Sequence, residues 1–186
     1  MAGIIITMIM RKKIVCVIVL VSFLSFILLI SCQQKEDRKY RDKSKIENRA
    51  LDKADLLTAR EEQQLFEIIL DIEKKLGPQL AMVTIDTLNG IDINQYSLSV
   101  FEQLELGREL YSDGLLITVS QKDREARIEV GYGLEKIIRD EIAGHILRNE
   151  MIPNFKEHKV YEGLNAAIKT IEKLIENNKQ LIGEKP

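Results

Sequence analysis

The stretch Asp113-Gly114-Leu115-Leu116-Ile117-Thr118-Val119-Ser120-Gln121-Lys122-Asp123-Arg124-Glu125-Ala126-Arg127-Ile128-Glu129-Val130 carries two strands of different kinds. Leu115 to Val119 is an unbroken apolar run rich in β-branched residues, as a strand covered on both faces requires. Ala126, Ile128 and Val130 alternate with Arg127 and Glu129, so the second strand has one wet face. The link from Ser120 to Glu125 is short and polar, which returns the second strand antiparallel as a hairpin.

Working outward, Leu80 to Ile85 is another apolar run of strand length. Between the two runs stand the turn pair Asn89-Gly90 and then Ile93, Tyr96, Val100, Phe101 and Leu104 at helical spacing, up to Gly107. A strand-helix-strand passage of this length predicts parallel pairing with a right-handed crossover. Upstream, Thr58-Ala59-Arg60-Glu61 is a capping box, followed by the stripe Leu65, Ile68, Ile69, Ile72 and Leu76 and the stop Gly77-Pro78. Downstream, Asp140 is placed as an N-cap for a helix carrying Ala143, Ile146, Leu147 and Met151 that ends near Pro153. A last helix begins at about Tyr161 with Leu164, Ile168, Ile171, Leu174 and Ile175 on one side, and its tail after Asn177 is expected to fray. The expected class is α/β, in the order α-β-α-β-β-α-α around a small mixed sheet.

Residues 1–31 read as an export signal. Arg11-Lys12-Lys13 precede the 17 residues of the apolar run 14–30, and Leu29-Ile30-Ser31-Cys32 has the form of a bacterial lipobox ending in the cysteine that receives lipid. An uncleaved membrane anchor is the alternative, since the run is about the minimum length for a bilayer span. Met10, directly before the basic cluster, is an alternative start to Met1. From Cys32, residues 32–48 read as a polar tether, residues 49–178 as one folded domain and residues 179–186 as a polar tail. The expected address is extracytoplasmic, lipid-anchored to the membrane; Gln33 lacks the aspartate that retains lipoproteins at the inner membrane in some bacteria, which points to the outer membrane, facing the periplasm.

Removing Arg11, Lys12 and Lys13 leaves 24 basic against 29 acidic residues, and an acidic surface of this kind argues against nucleic acid as a partner. Both cysteines, Cys16 and Cys32, precede the domain, which excludes disulfides, cysteine-based zinc sites and a cysteine nucleophile within it. Ser97, Ser99, Ser112 and Ser120 lack the Gly-x-Ser-x-Gly context of a serine hydrolase. His145 and His158 have no second histidine at ligand spacing. Gly131-Tyr132-Gly133 leaves an antiparallel strand, so it is no dinucleotide fingerprint; a sharp exit at positive φ is expected there.

The segments from Leu51 to Ile175 resemble one family, the TPM domain of bacterial exported and thylakoid-lumen proteins. The resemblance is carried by Leu51-Asp52 with Leu56-Leu57-Thr58, by Gly77 with the Gln79 strand, and by Gly107 and Asp113 to Ile117. It continues through Arg124, through Arg127 to Glu135 with its Gly-Tyr-Gly-Leu-Glu core, through Asp140, and through Ile152-Pro153-Asn154-Phe155 with Tyr161-Glu162-Gly163. One departure is His158-Lys159-Val160 where the family commonly has Gly-Asp before the Tyr161 position. The resemblance implies a single open α/β/α sandwich and an acidic cluster that binds divalent cations in some members. It further implies links to acid phosphatase activity and to the upkeep of photosynthetic membrane complexes.

Chain direction places Asp113 before the interior strand and Glu135 after the antiparallel one, at one sheet edge, with Asp140 close behind. Three carboxylates beside a glycine-rich turn suit Ca²⁺ or Mg²⁺, and the family pattern adds Asp52. Their ordinary roles are an N-cap for Asp140, a turn for Asp113 and a solvated side chain for Asp52. At the opposite edge Asp86 and Asp123 read as turn residues. Two functions follow. One is a cation-binding, membrane-tethered module that assembles or maintains envelope protein complexes with an envelope protein partner. The alternative is a metal-dependent acid phosphatase in which Arg124 or Arg127 neutralises phosphate charge.

Overall fold

The computed structural model describes residues 49–184, so the expectations for the signal segment, Cys32 and the tether lie outside the described residues. Three parallel strands, β1 (Ala50–Asp52), β2 (Gln79–Ile85) and β3 (Gly114–Ser120), and one antiparallel strand, β4 (Glu125–Val130), form a single sheet in the order β1-β2-β3-β4. Helix α1 (Ala59–Leu76) links β1 to β2 and α2 (Ile93–Gln103) links β2 to β3. After β4 come α3 (Asp140–Ile146), a π-helical stretch (Leu147–Met151), α4 (Ile152–Lys156) and α5 (Val160–Asn177).

Alternation along the strands divides the core. Leu80 and Met82 of β2, Leu115, Ile117 and Val119 of β3 and Ile128 of β4 meet Leu65, Ile69 and Ile72 of α1 and Leu164, Ile168, Ile171 and Ile175 of α5. Ala81, Val83, Ile85 and Leu116 face the other way, where Tyr96, Val100 and Phe101 of α2 pack. The layers are therefore α/β/α, with α2 the one helix on its face among the described residues. Interior β3 is buried along all seven residues, as its unbroken apolar run requires. No helix among the described residues is long and apolar enough to cross a membrane.

Four expectations are corrected. The element order opens with a strand: β1 was not expected, because three residues are too few to show a period, and it pairs parallel with Met82 to Thr84. Asp140 is the first residue of α3, whose N-cap is Arg139 without a side-chain cap bond; its charge there faces the positive end of the helix. Pro153 lies in the first turn of α4, which begins at Ile152, instead of ending the preceding helix. Proline brings no N–H to donate into the preceding turn, the stretch before it is π-helical, and Asn154 Nδ2 donates to the Glu150 carbonyl at 2.7 Å. The tail does not simply fray: Lys179–Leu181 forms a 3₁₀ turn, Leu181 and Ile182 pack on the core, and the Gly183 amide donates to the Gly133 carbonyl at 2.9 Å.

The capping box of α1 forms as expected, the Glu61 amide donating to Thr58 Oγ1 at 3.3 Å and the Thr58 amide to Glu61 Oε2 at 2.7 Å. Thr58→Ala is expected to destabilise the domain by about 1 kcal/mol in urea unfolding, the usual worth of such a cap. A change below about 0.3 kcal/mol would show that tertiary packing alone fixes this end.

Candidate functional site

The sheet edge at the start of β3 and the end of β4 is the site's floor. Gln79 stands opposite Gly114 in the β2–β3 register, and the Gly131 amide donates to the Gly114 carbonyl at 2.8 Å. The loop between α2 and β3 folds over this edge. Gly107 takes φ +102°, and a Cβ there would meet the Gly114 amide nitrogen at 2.8 Å, so both hand and space demand glycine. The Gln79 carboxamide ties the loop to α1, its Oε1 accepting from the Gly107 amide at 3.0 Å and its Nε2 donating to Glu73 Oε1 at 2.8 Å.

Asp113 is fully buried, 0 % exposed, and its charge is spent inside the protein. Oδ1 accepts from the Arg108 amide at 2.8 Å, while Oδ2 accepts from Arg108 Nε at 2.8 Å and Nη2 at 2.5 Å. The guanidinium lies over the Tyr111 ring, 4.1 Å from its centroid. On the Gly77 side a Cβ would meet Arg108 Nη1 at 2.6 Å. Arg108, 37 % exposed, is thus clamped between Gly77 and Tyr111 and held in plane by Asp113.

Gly131-Tyr132-Gly133 is glycine-rich for a reason other than the one expected. Gly131 has φ −71°, and neither glycine is among those with positive φ. The loop presses on them: a Cβ at Gly131 would sit 2.4 Å from the Ser112 carbonyl oxygen, and one at Gly133 only 1.8 Å from that of Tyr111. Close backbone approach selects glycine here.

Between α2, this loop and the 131–135 segment lies a cleft of about 410 Å³. Leu98, Phe101, Leu106, Val130 and Tyr132 give it apolar walls; Arg108, Glu109, Glu129 and Glu135 give it charge. Tyr132 is 67 % exposed and Leu98 48 %, with exposed Leu110 and Tyr111 in the same loop.

The four carboxylates expected to share a cation do not come together. Glu135 lines the cleft, Asp113 is buried beneath Arg108, and Asp140 is exposed at the start of α3. Asp52 lies at the other end of the sheet. As the last residue of parallel β1, opposite Thr84, it is carried to the edge where the parallel strands end. There it accepts from Thr84 Oγ1 and, at 2.7 Å, from the Leu57 amide. Among the described residues no three histidines, cysteines or acids form a group able to hold a metal ion. Titration with Ca²⁺ or Mg²⁺ to millimolar concentration should leave the amide resonances of Asp113 and Asp52 in place. A saturable shift at either would show that the cation displaces Arg108 or Thr84.

At the far edge Asp123 accepts from Ser120 Oγ at 2.5 Å and from the Leu88 amide at 2.7 Å, and Asp86 pairs with Lys122 at 3.0 Å. The Ser120 hydroxyl, followed by the Leu88 amide, holds the Asp123 carboxyl below the usual range. Arg124, at φ +57°, turns this hairpin, so it is remote from the cleft; Arg127 is paired to Glu129 at 2.7 Å. His145 lies exposed on α3, and His158 occupies the turn before α5 at φ +59°.

Sequence reasoning missed Arg108 and buried Arg49. Arg108 gives one signal, an arginine following Gly107 at five residues from Asp113; Arg49, which pairs with Glu73 at 3.3 Å, gives none because its partner is 24 residues away. Burial lowers the Arg49 pKa, opposed by the Glu73 charge.

The TPM domain model matches residues 50–174. No curated protein matches the chain. Among solved structures, the N-terminal domain of a protein from P. gingivalis is similar at 25% identity and a TM-score of 0.65, over 72% of this chain and 85% of that one. The BA42 protein of the psychrophilic bacterium Bizionia argentinensis is similar at 25% identity and a TM-score of 0.57, over 65% and 82%. The N-terminal domain of the cg2496 protein of Corynebacterium glutamicum shares the fold at 10% identity and a TM-score of 0.54, over 68% and 78%. With its family model covering most of the chain, its four-stranded open sheet and these neighbours, the chain belongs to the TPM domain family.

Proposed function

We propose that this protein is a non-enzymatic, extracytoplasmic module that holds an envelope protein in the cleft beside α2 and so helps assemble or maintain a membrane complex. In this reading it is lipid-anchored through Cys32 to the outer membrane and faces the periplasm. One observation carries the reading: apolar side chains stand exposed around a cleft whose buried charge, Asp113, is already satisfied by Arg108. Exposed apolar groups rimmed by charge mark interaction surfaces, and tyrosine is a favoured anchor at them. The lipobox ending in Cys32 supports the address.

The phosphatase alternative gains nothing from the geometry. Arg124 turns the far hairpin and Arg127 is paired to Glu129, while the cleft carboxylates Glu109 and Glu135, without a countercharge among the described residues, oppose a phosphate.

Photo-crosslinking in intact cells tests the reading. A benzophenone side chain at position 132 is expected to capture a discrete envelope protein, and the same group at exposed position 173 on α5 is not. Cys32→Ser should abolish both lipid labelling and that crosslink. Equal capture from both positions, or none from position 132, would sink the proposal.

A further inference from the structure

Resting on the partner reading above, we infer that the partner enters the cleft as a basic peptide segment, a large apolar side chain flanked by lysine or arginine. The charge around the cleft is unequal. Arg108 is neutralised by Asp113 through two side-chain bonds, and Glu129 by Arg127 at 2.7 Å. Glu109 and Glu135 line the same cleft without a countercharge among the described residues. The cleft therefore presents two uncompensated carboxylates around an apolar seat made by Leu98, Phe101, Leu106 and Tyr132.

These carboxylates stand on separate segments, Glu109 in the loop before β3 and Glu135 after the 3₁₀ turn Tyr132–Leu134. With no third acid grouped to hold a metal ion, the arrangement suits cations spaced along a chain better than one ion requiring six or more oxygens. A volume of about 410 Å³ is at the small end of ligand pockets, which limits the occupant to a short stretch of peptide. Arg108 adds direction. Asp113 uses its Nε and Nη2, so the remaining guanidinium N–H groups are left to meet peptide carbonyls, on a side chain already immobilised by Tyr111 and Gly77. The acidic surface of the mature chain likewise favours a basic partner and disfavours a second copy.

The test uses the full chain in an uncharged detergent and fluorescence anisotropy with three labelled pentapeptides: Lys-Ser-Phe-Ser-Lys, its acidic twin Glu-Ser-Phe-Ser-Glu, and Lys-Ser-Gly-Ser-Lys. The basic phenylalanine peptide is expected to bind at least about tenfold more tightly than either twin, with affinity falling as salt rises. Glu109→Gln with Glu135→Gln should weaken it roughly fivefold, the worth of two solvent-exposed ion pairs, and flatten the salt dependence. Glu109→Lys with Glu135→Lys should reverse the preference toward the acidic twin. Equal binding of the basic and acidic peptides to the wild-type chain overturns the inference without reliance on any variant. If position 132 captures an envelope protein while no peptide binds, the basic-peptide inference fails and the partner reading stands; if neither occurs, both fail.

Discussion

Arg108→Met is expected to destabilise the domain by about 3–5 kcal/mol, the usual cost of stripping the partner from a buried charge. Asp113 is fully buried and takes two of its three hydrogen bonds from the Arg108 guanidinium. Methionine keeps an unbranched, largely apolar stem but neither the charge nor the guanidinium donors, so Asp113 keeps only the bond from the Arg108 amide. Asp113→Ala should cost less, about 2 kcal/mol, because Arg108 is 37 % exposed and can turn to water once its acceptor is gone. Joining Arg108→Met with Asp113→Leu should recover most of the loss, since a buried pair is commonly replaceable by apolar side chains. Equilibrium unfolding in urea measures all three. A deficit below about 1 kcal/mol for Arg108→Met would mean that Asp113 finds another partner and that Arg108 does not hold the loop.

Gly133→Ala should cost about 3 kcal/mol, at the upper end of overpacking penalties, because its Cβ would lie 1.8 Å from the Tyr111 carbonyl oxygen. That neighbour is backbone and cannot swing aside, so the whole 107–113 loop must lift. Gly90→Ala is the control: its φ of +83° strains any side chain, but no atom lies within 4 Å, and about 1 kcal/mol is expected. Because the loop also carries Arg108 and Glu109 into the cleft, Gly133→Ala should shift the amide resonances of both, whereas Gly90→Ala should not. Similar losses for the two variants would show that the Gly133 contact relaxes freely.

Much of the fold is legible because its signals are local. The Thr58 to Glu61 cap, the α1 stripe, the apolar β3 run and the alternation in β4 each lie within one element, and each is observed. Strand β1 is not legible, since its three residues gain meaning only from Met82 to Thr84 across an intervening helix. The candidate site divides the same way. Placing Glu135 and Asp113 at one edge followed from chain direction through a hairpin. Moving Asp52 to the opposite edge required knowing that the segment before α1 is itself a parallel strand.

The amino-acid sequence alone determined the class of fold, the hairpin and the α/β crossover, because hydrophobic period and caps act over a few residues. Only the tertiary structure decided which carboxylates remain available. The Arg108–Asp113 pair depends on a loop that Gly107 turns, Gln79 ties down and Gly131 and Gly133 allow to approach. Burial and pairing belong to that assembled edge, and among the described residues they leave Glu109 and Glu135 as unpaired charges beside its apolar cleft.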